Sequence, residues 1–187
     1  LRYPNIDYTP LRNRISRLVN RAFLEFNSDM ELPEKCMVLN KLLFQSEGFK
    51  ADRRAPLRPE NYFLHSFIDR KRGGPVSLGL LYMIIAQSLE LDLQGIILPN
   101  HYFVLKGMSD DQPFFVDVFN KGAFFSKKDL GKFLQEHDIP ESPEMYSGTN
   151  PLNLILATIK IILDGFQRKK DEEGVKLYKW LIDEWSV

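Results

Sequence analysis

Apolar positions along the chain recur first at helical and then at strand spacing, and this change of period organises the sequence. In "TPLRNRISRLVNRAFLEF" Leu11, Ile15, Leu18 and Ala22 fall on one stripe, with Thr9 as cap and Pro10 in the first turn, which predicts an amphipathic helix. "LPEKCMVLNKLLFQSEG" repeats the device, with Pro33 early, Val38, Leu39, Leu42 and Leu43 as the apolar face, and Gly48 as the stop. "RPENYFLHSFIDRKRGG" predicts a third helix from Pro59 to Gly73. A fourth opens at Pro75 and runs to about Leu91, apolar almost all round, as expected of a helix buried on every side.

The runs "LQGIILP", "HYFVLKG" and "PFFVDVF" are short, β-branched or aromatic, and bounded by Gly, Pro and "SDDQ". They predict three or so strands, the last two joined by a hairpin turn. Helix returns at Ser126, where "SKKD" is a capping-box pattern. After Asn150 and Pro151, "LNLILATIKIILDGF" and "EEGVKLYKWLIDEW" predict a helical hairpin, which Trp180 and Trp185 are expected to pack onto the core. The layout is α+β: helices packed on a small antiparallel sheet, with a C-terminal helical hairpin. Residues 1–30 are expected to form an N-terminal helix, 31–148 the core and 149–187 the hairpin. Because the chain opens at Leu1 rather than Met, it is expected to be part of something longer.

Composition narrows the partners. At 187 residues and 44% hydrophobic the chain can bury a real core, and its 14 Phe suit rings closing both faces of a sheet. Twenty-five basic residues balance 25 acidic ones, so no net field concentrates nucleic acid or an anionic membrane. One cysteine, Cys36, excludes an intrachain disulfide and a multi-cysteine zinc site, and with no signal-peptide layout or spanning run it suggests a reducing, cytoplasmic setting.

Three polar residues stand where apolar ones are expected: Ser77 in the buried helix, His101 at the head of a strand, and Asp117 amid Phe and Val. Each has a plain structural reading. A serine near a helix start satisfies an orphan amide, a strand histidine is held by core hydrogen bonds, and an aspartate closes a turn. Together they read differently. If the hairpin is centred on Asp110, Asp117 sits opposite Phe103 and diagonal to His101 on one face, roughly 7 to 8 Å away. A carboxylate could then hold one imidazole nitrogen, leaving the other for Ser77 at the positive end of its helix.

The run "NYFLHSFIDRKRGGPVSLGLLYMIIAQSLELDLQGIILPNHYF…FFVDVFNKGAFFS" resembles the bacterial SirB-like branch of the transglutaminase-like superfamily, itself distantly papain-like, over about residues 35–126. The resemblance implies a papain-like core in which the wider superfamily has a first-turn cysteine nucleophile, a strand histidine base and an orienting aspartate. By position these fall on Ser77, His101 and Asp117. Asn61 matches a position characteristic of the branch and, with helix-start amides, is expected to hold an oxyanion; Gly74 and Asn100 are further expected binding positions. Asn100 before the histidine, and Val118 where the branch often has proline, are departures. The branch commonly carries Ser or Thr in place of the cysteine. Its C-terminal end resembles a tetratricopeptide-type element, although "GVKLYKWLIDEW" shows no full repeat.

The exchange matters because a thiol of pKa about 8.5 can be held as a thiolate beside histidine, whereas a serine must lose its proton during attack. Two readings follow: a peptide- or protein-binding module that kept the cleft, which is favoured, or a serine acyl hydrolase. No cofactor is expected. No metal is expected either, since His65, His101 and Asp117 lack ligand spacing. Gly73 and Gly74 lack phosphate-loop spacing and are expected to make room for a substrate or neighbouring backbone. The basic clusters at Arg53–Arg54, Arg70–Arg72 and Arg168–Lys170 read as solvated faces, and Cys36 as core.

Overall fold

A computed structural model describes residues 7–55, 58–99 and 102–185. Helices α1 (Thr9–Glu25), α2 (Leu32–Asn40), α3 (Leu64–Arg70) and α4 (Pro75–Ser88) precede the main sheet, and α5 (Lys127–Glu136), α6 (Pro151–Lys169) and α7 (Glu172–Trp185) follow it. The sheet is an antiparallel meander of β3 (Gln94–Leu98), β4 (Tyr102–Ser109), β5 (Gln112–Asp117) and β6 (Ala123–Ser126) in that order. Two short strands, β1 (Lys50–Ala51) and β2 (Arg72–Gly73), pair in parallel beside the start of α4. The α+β class expected from the change of period is the one observed. Among the described residues, no helix is long and apolar enough to cross a membrane.

Both faces of the sheet are covered. Phe103, Leu105 and Val116 join the α4 residues Leu78, Tyr82 and Ile85 in the larger core, while Ile96, Leu98, Val104 and Phe115 pack against Leu130 and Leu134 of α5. Helix α4 is the hub of the larger core because it is sheathed on all sides, with nine of its residues from Pro75 to Ala86 buried.

Local corrections have local causes. Tyr8 holds the cap position of α1 and Thr9 is the first helical residue rather than the cap, its N–H donating to the Asp7 carboxylate at 2.8 Å. The second predicted helix passes into a π-helical turn at Lys41–Ser46 before the left-handed Gly48 (φ +75°) ends it, as expected of that glycine. The third ends at Arg70 instead of Gly73, since Lys71 turns left-handed and Gly73 is taken into β2. Strand β6 is additional to the three strands expected, because "AFFS" is too short to show a period. Ser126 caps α5 in a capping box with Asp129, as read from "SKKD". Trp180 and Trp185 are exposed rather than packed, and the hairpin of α6 and α7 is closed by Phe166 and Tyr178, whose rings lie 5.4 Å apart.

The correction with most consequence concerns register. Asp110 and Asp111 both take positive φ, 49° and 59°, forming a two-residue turn that matches the twist of a hairpin. Ser109 therefore pairs with Gln112 and Leu105 with Val116, one residue away from a hairpin centred on Asp110. A slip of one residue exchanges faces. Asp117 lies on the α5 face with Phe115, whereas Phe103 lies on the α4 face, so the two do not share a side. Glycine relieves the left-handed strain at such a position. Asp111→Gly is accordingly expected to raise stability by about 1 kcal/mol, the lower end of the left-handed cost of a residue that carries Cβ, an increase of about 2–4 °C in thermal midpoint by calorimetry.

Candidate functional site

Ser77 is the third residue of α4, whose cap position is Gly74. Its hydroxyl does not cap the helix. It donates instead to the main-chain carbonyl of Asn61 at 2.5 Å, in a position only 3% exposed. Two residues on, Gly79 faces the Phe103 ring of β4. At about 100° per residue, Ser77 and Gly79 point to nearly opposite sides of the helix, so the serine is turned toward the Pro59–Asn61 turn.

Asn61 is wholly buried, and its amide is fully engaged. The Nδ2 group donates to Asp52 Oδ2 at 3.2 Å and to the Ala55 carbonyl at 2.8 Å, while Oδ1 accepts from Arg70 at 2.9 Å. No amide proton is left to stabilise an oxyanion in this arrangement. Arg70 also donates to the Glu60 carbonyl at 2.7 Å, so this member of the Arg70–Arg72 cluster clamps a turn rather than facing solvent alone. Asp52, 8% exposed, completes the network. Its burial has no signature in the sequence, where an aspartate before two arginines reads as a surface residue.

Gly73 and Gly74 do make room, but side chains fill it. A Cβ on Gly73 would lie 2.6 Å from the Phe67 ring, and one on Gly74 2.6 Å from Tyr62 Cζ. Tyr62 and Phe67 thus seat the start of α4 against the preceding segment.

Asp117 closes a turn. Its Oδ1 accepts the N–H groups of Phe119 and Asn120 at 2.9 and 3.1 Å, and its Oδ2 accepts Asn120 Nδ2 at 2.5 Å. It also lines an open cavity of about 200 Å³ with Tyr102, Phe103 and residues of α5. Asn100 and His101 lie outside the described residues. The described structure brings Asn61, Gly74 and Ser77 together around the start of α4, while Asp117, at the end of β5, makes its hydrogen bonds to Phe119 and Asn120 of its own turn.

Cys36 is buried at the Tyr82 contact, where the Tyr82 hydroxyl donates to its carbonyl at 3.0 Å. Burial pushes its thiol up to about 11, which keeps it neutral and unreactive at neutral pH. Among the described residues no three His, Cys, Asp or Glu side chains group so as to hold a metal ion. Of the other basic clusters, Arg53 lies over the Phe119 ring, Arg168 pairs with Asp164, and Lys169 with Glu60.

A family model described as the transglutaminase-like superfamily matches residues 9–159. The chain is similar to a UPF0162 protein of Xylella fastidiosa, 25% identical over 152 residues that cover 80% of this chain and 54% of the relative. UPF0162 protein YchA of Escherichia coli is 26% identical over 162 residues, covering 87% and 60%. F-box only protein 21 of Homo sapiens is 27% identical over 185 residues, covering 92% of this chain and 29% of its own. The chain thus spans about half the length of the first of these relatives and under a third of the last. No solved structure matches it.

Proposed function

Because the chain belongs to the transglutaminase-like superfamily, we propose that it works as a peptide- or protein-binding module on that fold, with serine where the wider superfamily has its nucleophile. The motif run from Asn61 to Ser126 supports placement in the SirB-like branch, and the lone buried thiol suits a cytoplasmic setting. The observation that carries the reading is the Ser77 hydroxyl. Its proton is directed at the Asn61 carbonyl in a nearly closed site, where a base would have to displace a hydrogen bond before activating it. The engaged amide of Asn61 argues the same way, since it removes the expected side-chain donor for an oxyanion.

The relatives support a module. One similar stretch makes up about half of a bacterial UPF0162 protein and under a third of an F-box only protein, so the unit recurs inside chains of different build. An F-box only protein among the relatives also suits protein recognition.

The competing reading has Ser77 attack an acyl group, His101 carry the proton and Asp117 orient the ring. A fluorophosphonate probe separates the two. The native chain and Ser77→Ala are expected to label equally and weakly, read by mass spectrometry of the Ser77 peptide. Labelling that depends on Ser77 and disappears in His101→Ala would overturn the binding module in favour of the hydrolase.

A further inference from the structure

The cavity beside Asp117 has a consistent chemistry. Leu98, Val104 and Leu130 give it an aliphatic floor, and Tyr102, Phe125 and Phe133 stand around it. Tyr102 and Phe133 meet edge to face, centroids 4.9 Å apart and planes at 82°, forming a corner of two rings. The charged side chains among its described lining residues are Asp117 and Asp129, both acidic, and no lysine or arginine is among them.

Both carboxylates are anchored yet keep accepting capacity. Asp129 takes the Ser126 N–H and hydroxyl on Oδ2, at 3.1 and 2.6 Å, which leaves Oδ1 for another donor. Those bonds to Ser126, aided by Lys132 and Lys128, hold its carboxyl below the usual range, so it is charged at neutral pH. Asp117 accepts one side-chain N–H on Oδ2 and keeps a lone pair there. Their positions are therefore set, by the turn that Asp117 closes and the helix start that Asp129 braces, before any ligand arrives.

Size and charge select the occupant. About 200 Å³ falls below the roughly 300–1,000 Å³ of pockets that enclose a drug-sized molecule. It suits a side chain instead. An anion would meet two carboxylates, and a neutral apolar chain would leave them unused; an apolar stem ending in a cation satisfies the floor, the rings and the acids together. We propose that this cavity is a docking pocket for an alkylammonium group, presented as a lysine side chain, plain or methylated, of a peptide partner. The proposal rests on the peptide-binding reading above and supplies the class of residue recognised.

The test is a titration of the isotopically labelled chain, followed by NMR, with the peptide acetyl-Ala-Lys-Ala-amide. Parallel arms use its trimethyl-lysine form, its norleucine form and n-pentylamine. The lysine and trimethyl-lysine peptides are expected to shift the signals of Tyr102, Phe125 and Phe133, with the norleucine peptide and the free amine each about tenfold weaker. Asp129→Asn and Phe133→Leu, two mild changes, are expected to weaken lysine-peptide binding several-fold while leaving distant signals in place. Equal binding of norleucine, shifts confined to other surfaces, or no shift at millimolar peptide would overturn the pocket and leave the binding-module reading standing. Equal binding of n-pentylamine would assign it to free amines and overturn the peptide ligand. Ser77-dependent fluorophosphonate labelling would instead sink the module reading while a lysine-selective pocket survived as a subsite.

Discussion

Asn61→Leu is expected to remove about 3–5 kcal/mol of stability, the range for breaking one partner out of a buried charged network. In a chain of this length that is a fall of about 6–20 °C in thermal midpoint. Leucine has nearly the right volume but none of the bonds. It would take from Asp52 its amide donor, from Arg70 one of its acceptors and from the Ala55 carbonyl one of its two donors, leaving Arg70 on the Glu60 carbonyl and Ala55 on the Arg58 N–H, all close to the start of α4. Ser77→Ala makes the comparison informative, because it deletes only the hydroxyl bond to the same residue's main chain and is expected to lose about 1 kcal/mol. Urea denaturation of both variants is the measurement. Similar midpoints for Asn61→Leu and the native chain would show that Asn61 is kept for something other than holding this corner together.

Gly79→Ala is expected to destabilise by about 1–3 kcal/mol through overpacking, although the same exchange inside an exposed helix stabilises by about 1 kcal/mol. The sign reverses because the space beside Gly79 is already occupied by the Phe103 ring, which also lies against Gly95. Helix and sheet are held at the distance of one ring. Phe103→Ala alone is expected to be worse, at about 3–5 kcal/mol, since it empties a position only 1% exposed. Combining Gly79→Ala with Phe103→Leu is expected to recover part of the loss. Two penalties that simply add would mean that these residues do not share the space.

The larger elements were legible because each carries many repeats of its period. Helices α1, α4, α6 and α7 and strands β3 to β5 fall close to where apolar spacing put them, and the end signals at Gly48, Ser126 and Asn150 hold in space. Elements of two to four residues, such as β1, β2 and β6, were not legible, because they exist only through their partners. The pairing of Lys50 with Arg72 has no signature in either segment.

The candidate site was legible as a set of residue types and illegible as a geometry. Ser77, Asn61 and Gly74 were singled out, and they do meet, but the contact that joins Ser77 to Asn61 is a side chain bonded to main chain, which no residue pattern encodes. The hairpin shows how finely balanced such arguments are. "SDDQ" allows a turn centred on Asp110 or one shared by Asp110 and Asp111, and that single step decides which side of the sheet Asp117 occupies. Asp129 was seen as half of a capping box, and its second oxygen became visible only with the neighbouring rings in place.

The chain between α5 and α6 has a further role at the rim of the sheet. The Thr149 N–H bonds to the Gly95 carbonyl at 2.7 Å, and its hydroxyl receives the Ile97 N–H at 3.4 Å, so this connection lies along the outer border of β3. An uncovered border would offer those same groups to a second molecule and invite strand-to-strand aggregation. A fragment cut after residue 148 would retain all four strands of the meander yet lose this shield, and it would also lose Leu154, Ile161, Ile162 and Phe166 of α6 and Tyr178 of α7 from the larger core, so it would be both less stable and prone to self-associate. The segment leading into α6 is thus a guard on solubility as well as a tether.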